Sequence, residues 1–310
     1  MTQQQSAVAH KFVDARWAFE RYEAIRARLP TMGNPGRAEV VAGLGEVADQ
    51  FDAFVFDSFG VLNVGEVPIR GAAERIADLR RRGKHVMVLT NAATAPLDSL
   101  PQKYADLGFD FAAEEIISSR AILAAHLAKH PSTTPWSVVA PKASTPAELG
   151  VPFALVEGAA VPEDRSGGVI LLSSQTINDE LYAALKGSLA ARPGSVLVGN
   201  PDLVAPRVDG YSLEPGNFAH QLADDLGVEP EFFGKPYSNA FEAVSARLGN
   251  SVQPHRVAMV GDTLHTDILG GSAAGFGTIL VTNHGVLKSL DVSACIEQSE
   301  ISPDYIVPQI

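Results

Sequence analysis

Four separated stretches of this 310-residue sequence contain side chains that could do chemistry together. They combine carboxylates with a hydroxyl, an amide and an amine: Asp57, then Thr90 and Asn91, then Lys235, then Asp262 and Asp267. Carboxylate oxygens are the ligands that Mg²⁺ prefers. A hydroxyl, an amide and an ammonium group can neutralise and position a phosphoryl group. If the four stretches meet, the chemistry they predict is metal-assisted reaction at phosphorus.

Three of these stretches follow short apolar runs, at 53–56, 86–89 and 257–260. Such runs are typical of parallel strands that are buried on both faces. Residues 72–82 between the first two runs have helical spacing, so the pattern is a right-handed β-α-β unit. Ligands bind outside the carboxyl ends of parallel strands. The sequence therefore predicts an α/β fold in which the four stretches lie together at the carboxyl ends of the parallel strands.

The overall composition narrows the class of protein. Hydrophobic residues make up 46% and charged residues 19% of the chain, which is typical of a folded globular protein. The formal charge of −12 opposes binding to nucleic acid. Cys295 is the single cysteine, which excludes an intrachain disulfide. No apolar run reaches the roughly 18 residues that span a bilayer, and the first residues do not resemble a secretory signal. We expect a cytoplasmic protein with neither a membrane nor a nucleic-acid partner.

The motifs and their order resemble the haloacid dehalogenase (HAD) superfamily, and within it subfamily IIA, which holds enzymes like 4-nitrophenylphosphatase and phosphoglycolate phosphatase. The resemblance runs from about residue 46 to 290 and rests on Asp57 with Gly60-Val61-Leu62, Leu89-Thr90-Asn91, Asn200-Pro201-Asp202, Gly234-Lys235-Pro236 and the stretch 261–268. It implies a Rossmann-like core with a parallel sheet plus an inserted α/β cap domain. The domain limits we expect are an N-terminal helical extension at 1–45, a core at 46–117 and 213–310, and a cap at 118–212.

The resemblance also implies a role for each site residue. Asp57 is then the nucleophile that forms an aspartyl-phosphate on a small phosphorylated metabolite. Thr90 and Asn91 hold phosphoryl oxygens, and Lys235 neutralises charge. Mg²⁺ is bound by Asp57, the backbone carbonyl of Phe59 and Asp262, while Asp267 orients Lys235 or a metal-bound water. The further residues assigned to the substrate or cap side are Asn200, Asp202 and His265.

The sequence departs from the family pattern at Phe59, where related phosphatases carry a second aspartate as general acid and base. Loss of such a group costs about 10²–10⁴-fold in rate. Three interpretations follow. The protein is a phosphatase whose leaving group needs little protonation, or whose acid is His265 or a cap residue. It is a phosphonate-cleaving or other non-standard hydrolase of the superfamily. Or it is a catalytically impaired phosphoester-binding protein, although retention of Asp57 and Lys235 favours an enzyme.

Residues 11–29 place apolar side chains at steps of three and four, which predicts an amphipathic helix. Pro30 and Gly33 then end the pattern. One interpretation is that this helix docks on its own core, and the other is that it is an oligomerisation arm. A homodimer, formed through this helix or through the cap, is a further expectation.

Overall fold

A computed structural model describes residues 13–158, 160–162, 167–207 and 210–310, apart from the side chain at position 250. Its strands are, in chain order, β1 (Glu39–Val40), β2 (Ala53–Phe56), β3 (Asn63–Val64), β4 (Val67–Pro68), β5 (His85–Thr90), β6 (Ile116–Ser118), β7 (Trp136–Val139), β8 (Phe153–Val156), β9 (Gly168–Leu171), β10 (Val196–Val198), β11 (Val204–Arg207), β12 (Gly210–Leu213), β13 (Glu231–Phe232), β14 (Val257–Gly261), β15 (Gly277–Val281) and β16 (Tyr305–Val307). Its α-helices are α1 (Ala15–Ala24), α2 (Leu44–Val47), α3 (Ala72–Arg81), α4 (Leu100–Asp106), α5 (Ser119–Lys129), α6 (Asp179–Ala191), α7 (Pro215–Leu226), α8 (Ser238–Leu248), α9 (Leu269–Ala273) and α10 (Val292–Ser299).

The core of the fold is a parallel sheet of seven strands within the described residues, in the order β1-β16-β15-β14-β2-β5-β6. Strand β2 lies inside this sheet and is buried on both faces. Phe54 and Phe56 pack on one face in a cluster with residues of α3, while Val55 packs on the other face with α8. Alternation of side chains along a strand explains this division. The predicted α/β fold with a parallel sheet is confirmed.

A second parallel sheet forms the cap, with five strands in the described ranges and the order β13-β10-β9-β7-β8. Helices α6 and α7 cover one face through Leu181, Leu185 and Leu222, and α5 covers the other through Leu123 and Leu127. The predicted presence of an α/β cap is thereby confirmed. Helix α7 and strand β13 lie beyond residue 212, where the sequence-based cap limit falls. Because both pack into the cap, we propose that the cap extends to about residue 233.

Arg120, at the start of α5, ties the cap to the loop that follows β5. Its side chain is fully buried, and its Nε lies 2.6 Å from a carboxylate oxygen of Glu148. Its Nη1 donates to the carbonyl oxygen of Thr94 at 3.0 Å, and its Nη2 donates to that of Ser144 at 2.7 Å. Several carbonyl acceptors and one carboxylate thus compensate the cost of burying this cation.

Helix α1 docks on its own chain, which is one of the two interpretations given for the N-terminal pattern. It begins at Asp14, whose carboxylate accepts a hydrogen bond from the Trp17 N–H at 2.8 Å. Its apolar face is buried, with Phe19 packed on the core and Tyr22 packed against a cap loop. The predicted helix was longer at both ends, and its first two residues lie outside the described ranges. In the part of the chain that the structure describes, no helix combines the length and apolarity needed to cross a membrane.

Candidate active site

The four chemical stretches meet at one edge of the core sheet. Asp57 directly follows β2, Thr90 ends β5, and Asp262 directly follows β14. Since β14, β2 and β5 are neighbours in a parallel sheet, their carboxyl ends lie side by side. Lys235 reaches the same point from the chain that leaves the cap after β13. Its Nζ lies 2.6 Å from a carboxylate oxygen of Asp57 and 2.7 Å from one of Asp267.

The charges of this cluster are unbalanced without a cation. Among the described residues, Asp57, Asp262 and Asp267 each offer a carboxylate oxygen within 4.8 Å of the others. Burial raises the pKa of Asp57 to about 6 against the opposing effect of Lys235. Burial, together with Asp57 and Asp267, raises the pKa of Asp262 well above its usual value. One lysine faces three acids, so a divalent cation with a preference for oxygen ligands fits the donor set.

The carboxylate of Asp262 is held in a close-fitting cradle. One oxygen accepts from the Thr263 hydroxyl at 2.7 Å, and the other accepts from the Val286 N–H at 2.9 Å. A Cβ atom at Gly60 or at Gly285 would come within 2.2 Å of Asp262. Gly60 also has a φ of 82°, which favours glycine. Glycine at these positions therefore lets two loops close around the acid.

The side chain of Asn91 holds Lys235 rather than facing a ligand. Its Nδ2 donates to the Lys235 carbonyl oxygen at 2.9 Å and to an Asp202 carboxylate oxygen at 2.8 Å. Its Oδ1 accepts from the Lys235 N–H at 2.8 Å. Both amide protons are used, so the side chain has no donor left for the phosphoryl oxygens that the sequence analysis assigned to it. Thr90 is buried and lines the same cavity, and its side chain is hydrogen-bonded to that of Tyr104.

Asn200 and Asp202 both line this cavity, as expected for residues on the substrate side. The Asn200 side-chain Oδ1 accepts from the Asp202 N–H at 2.9 Å, and its Nδ2 donates to a Glu214 carboxylate oxygen at 3.1 Å. Burial raises the pKa of Asp202 to about 8, and Asp57 adds to the effect while Lys235 opposes it. Asp202 is therefore largely protonated at neutral pH.

Phe59 and Asp57 both line a cavity of about 390 Å³. Two cations approach the Phe59 ring, with the Lys103 Nζ 4.9 Å and the Arg207 guanidinium carbon 5.3 Å from the ring centroid. Burial lowers the pKa of Lys103, while the nearby Glu66 carboxylate opposes the shift and Arg207 adds to it. Arg207 forms an ion pair with Glu214 at 3.0 Å. The position that holds an acid in related phosphatases is thus an aromatic ring in contact with two cations, each of which has a carboxylate nearby.

His265 lies away from the cavity lining, which is a correction to its place among the substrate-side residues. Its ring is buried beneath α1, stacked on Tyr22 with centroids 5.0 Å apart. Its Nε2 lies 2.5 Å from a carboxylate oxygen of Glu23. With its ring enclosed by another helix, His265 has no geometric basis as a general acid.

Sequence reasoning missed four residues that the structure brings to the site or its support: Tyr22, Glu23, Lys103 and Arg207. Lys103 and Arg207 are separated in sequence from Phe59 and carry no motif of their own. The apolar spacing of the N-terminal helix predicted a buried face but could not indicate which part of the chain would cover it. Only the contacts across the fold identify these residues.

A carboxylate and a lysine at the carboxyl end of a parallel sheet, under an inserted cap, define a hydrolase core of the phosphoryl-transfer type. Two family models match this chain: "Haloacid dehalogenase-like hydrolase" over residues 54–147 and "HAD-hydrolase-like" over residues 232–310. The human glycerol-3-phosphate phosphatase is 30% identical over 293 residues, which cover 84% of this chain and 88% of that protein. Mouse chronophin is 29% identical over 305 residues, which cover 87% and 94%. The chain belongs to the haloacid dehalogenase-like hydrolases.

Solved structures support the same fold. A possible sugar phosphatase of this superfamily from Cytophaga hutchinsonii superposes with a TM-score of 0.76 at 24% identity, covering 88% of this chain and 98% of that chain. The glycerol phosphate phosphatase of Mycobacterium tuberculosis, in complex with magnesium, superposes with a TM-score of 0.66 at 24% identity, covering 84% and 75%. At this identity the likeness shows the fold alone.

Proposed function

We propose that this chain is a Mg²⁺-dependent phosphatase that hydrolyses a small phosphorylated metabolite through an aspartyl-phosphate at Asp57. The observation that carries the proposal is the Asp57 carboxylate 2.6 Å from Lys235, beside Asp262, in the lining of a cavity of about 390 Å³. The curated relatives support it, since the human protein and an acid sugar phosphatase of Staphylococcus epidermidis are named as phosphatases. The magnesium-bound Mycobacterium tuberculosis structure is consistent with the choice of metal.

The residues of the site have separate tasks in this reaction. Lys235 brings positive charge next to Asp57, which lets a carboxylate approach a phosphate dianion. An oxygen of Asp57 forms a bond to phosphorus while the bond from phosphorus to the ester oxygen breaks, and the electron pair leaves with that oxygen. A water molecule then forms a bond to phosphorus while the bond to the Asp57 oxygen breaks, which releases inorganic phosphate and restores the carboxylate. Asp57, Asp262 and the Phe59 carbonyl would hold Mg²⁺, which supplies charge neutralisation at the phosphoryl oxygens when bound. Asn91 keeps Lys235 in place, and Thr90 donates to a phosphoryl oxygen.

The leaving-group side favours esters that break without a proton from residue 59. Phe59 cannot transfer a proton, but Lys103 and Arg207 place positive charge within about 5 Å of its ring. Negative charge on a departing oxygen is stabilised there. We infer a preference for substrates whose leaving group is a weak base.

The two other interpretations of Phe59 gain less support from the geometry. A phosphonate-cleaving enzyme of the known type would use a lysine amine in the cap, where Lys142 and Lys186 occur. Neither lines the cavity, and the Lys186 Nζ instead donates to Asp225 at 3.0 Å. A phosphoester-binding protein would not require the Asp57 to Lys235 contact.

The test is turnover of 4-nitrophenyl phosphate, a substrate whose leaving group needs no acid. We expect activity with Mg²⁺, loss on chelation, and loss in Asp57→Asn. Asp110→Asn is a matched control, because the Asp110 side chain is 80% exposed on the surface. Activity that survives Asp57→Asn would contradict the aspartyl-phosphate, and inactivity of the purified protein with Mg²⁺ would contradict the enzyme.

The cytoplasmic location and the homodimer stay predictions from the sequence. Gel filtration with light scattering tests the dimer directly, since a dimer of a 32.8 kDa chain doubles the mass.

A further inference from the structure

Helix α1 and the turn after it contact both the cap and the core. We call this segment, residues 14–28, the strap. It touches the cap helix α7, the loop 200–203 and the turn Leu264–Ile268, which follows Asp262 and contains Asp267. Neither family model includes these residues, since the first begins at residue 54. The strap is therefore an addition of this chain to the matched family segments.

The strap is fixed to the cap by ion pairs. Arg21 and Arg28 approach the two oxygens of Asp224 on α7 at 2.9 and 2.6 Å. Arg28 also donates to the His220 carbonyl oxygen at 3.3 Å. A single exposed ion pair contributes little to the free energy of unfolding. Two arginines on one carboxylate nevertheless fix the orientation of the strap relative to α7.

The Tyr22 hydroxyl supports the loop that carries Asp202. Its oxygen accepts a hydrogen bond from the buried Leu203 N–H at 3.1 Å. Asp202 is the preceding residue and accepts from Asn91, whose amide in turn holds the main chain of Lys235. Two sets of hydrogen bonds, joined by the peptide link between Asp202 and Leu203, therefore connect the strap to the lysine beside Asp57.

The Glu23 carboxylate supports the other acidic loop. It lies 2.5 Å from the Nε2 of His265, whose ring is also enclosed by Tyr22 and by an edge contact with Phe19 at 5.4 Å. His265 occurs between Asp262 and Asp267 in the chain. Movement of the His265 ring would move the turn that presents these two carboxylates.

We propose that Tyr22 and Glu23 are positioning residues, through which the strap holds the cap loop and the acidic turn in the geometry that binds Mg²⁺ and phosphate. This inference rests on the proposed Mg²⁺-dependent function. Groups that support metal ligands from the outside typically alter metal affinity by about 10–100-fold when removed. The strap thus makes formation of the site depend on docking of the N-terminal helix.

The experiment compares Glu23→Ala, Glu23→Gln and Tyr22→Phe in the full chain. Glu20→Gln is the matched control, because Glu20 is on the same helix with its side chain 59% exposed. Mg²⁺ binding is measured by calorimetry without substrate, and kcat and KM are measured with 4-nitrophenyl phosphate at saturating Mg²⁺. We expect Glu23→Ala to weaken Mg²⁺ binding at least about 10-fold, and Glu23→Gln, which keeps a hydrogen-bonding partner for His265, to recover most of it. Tyr22→Phe lowers kcat more than it changes Mg²⁺ affinity.

Unchanged Mg²⁺ affinity in a folded Glu23→Ala protein would overturn the inference. Absence of Mg²⁺ binding in the unaltered protein would instead overturn the proposed function. In that case hydrogen exchange tests the positioning role of Tyr22 and Glu23. Faster exchange at 200–203 in Tyr22→Phe and at 262–268 in Glu23→Ala supports this role, and unchanged protection of these amides refutes it.

Discussion

Substitution of Phe59 by aspartate tests the central departure of this site. The new carboxylic acid would stand two residues after Asp57, next to the cavity that holds the leaving group. A positioned acid and base contributes about 10²–10⁴-fold to a proton-dependent step, or roughly 3–5 kcal/mol of barrier. We expect Phe59→Asp to raise turnover of alkyl phosphates, whose leaving groups require a proton.

The structure places the gain at the low end of this range. Lys103 and Arg207 lie about 5 Å from the present ring centroid, and each would stabilise an ionised carboxylate. Opposite charges at such distances lower the pKa of a carboxyl group by about 1–3 units. Each unit reduces the protonated fraction at neutral pH tenfold. Two such units, the middle of this range, reduce the upper figure of 10⁴-fold to an expected gain in kcat of about 10²-fold.

The assay compares two substrates at saturating Mg²⁺ and pH 7. Glycerol 3-phosphate has a leaving group that needs protonation, and 4-nitrophenyl phosphate has one that does not. We expect the gain with the first substrate and a change of less than about 3-fold with the second. Phe59→Asn is the control, because it has nearly the same shape as the aspartate and cannot donate a proton in this way. An equal gain in Phe59→Asn, or equal gains with both substrates, would refute the reasoning.

Two further predictions concern stability, measured by urea unfolding. The pKa of Asp202 is raised to about 8, so its contribution to stability is fully present below the unfolded pKa near 4 and is lost as pH rises through 8. Asp202→Asn keeps the acceptor for Asn91 and cannot ionise, so this pH dependence, on the order of a few kcal/mol, should disappear; an unchanged profile contradicts the shift. Arg120→Met leaves the carbonyl oxygens of Thr94 and Ser144 without the donor that Arg120 supplies and should cost about 1–3 kcal/mol. In contrast, Arg81→Met, at a side chain 69% exposed, should change stability by less than about 0.5 kcal/mol.

The parallel sheet, the inserted cap and the position of the site at the strand ends could all be predicted from the amino-acid sequence. An apolar run such as 53–56 is a local feature of the sequence, and such a run is typical of a buried parallel strand. Because ligands bind at the carboxyl ends of such strands, the residues that follow them could be assigned to one site before any contact was known. Asp57, Asp262 and Lys235 indeed meet there. Their types also indicated the chemistry, since carboxylates and a lysine suit a metal and a phosphoryl group.

What each side chain contacts once the strands are assembled is visible in the folded chain alone. The Asn91 amide is used up by Lys235 and Asp202, which are 144 and 111 residues away in sequence. His265 turns toward Glu23, 242 residues away, and not toward the cavity. Phe59 acquires two cations from separate elements. Hydrogen bonds and ring contacts depend on distances of a few ångströms between remote segments, and no local pattern of residues encodes those distances.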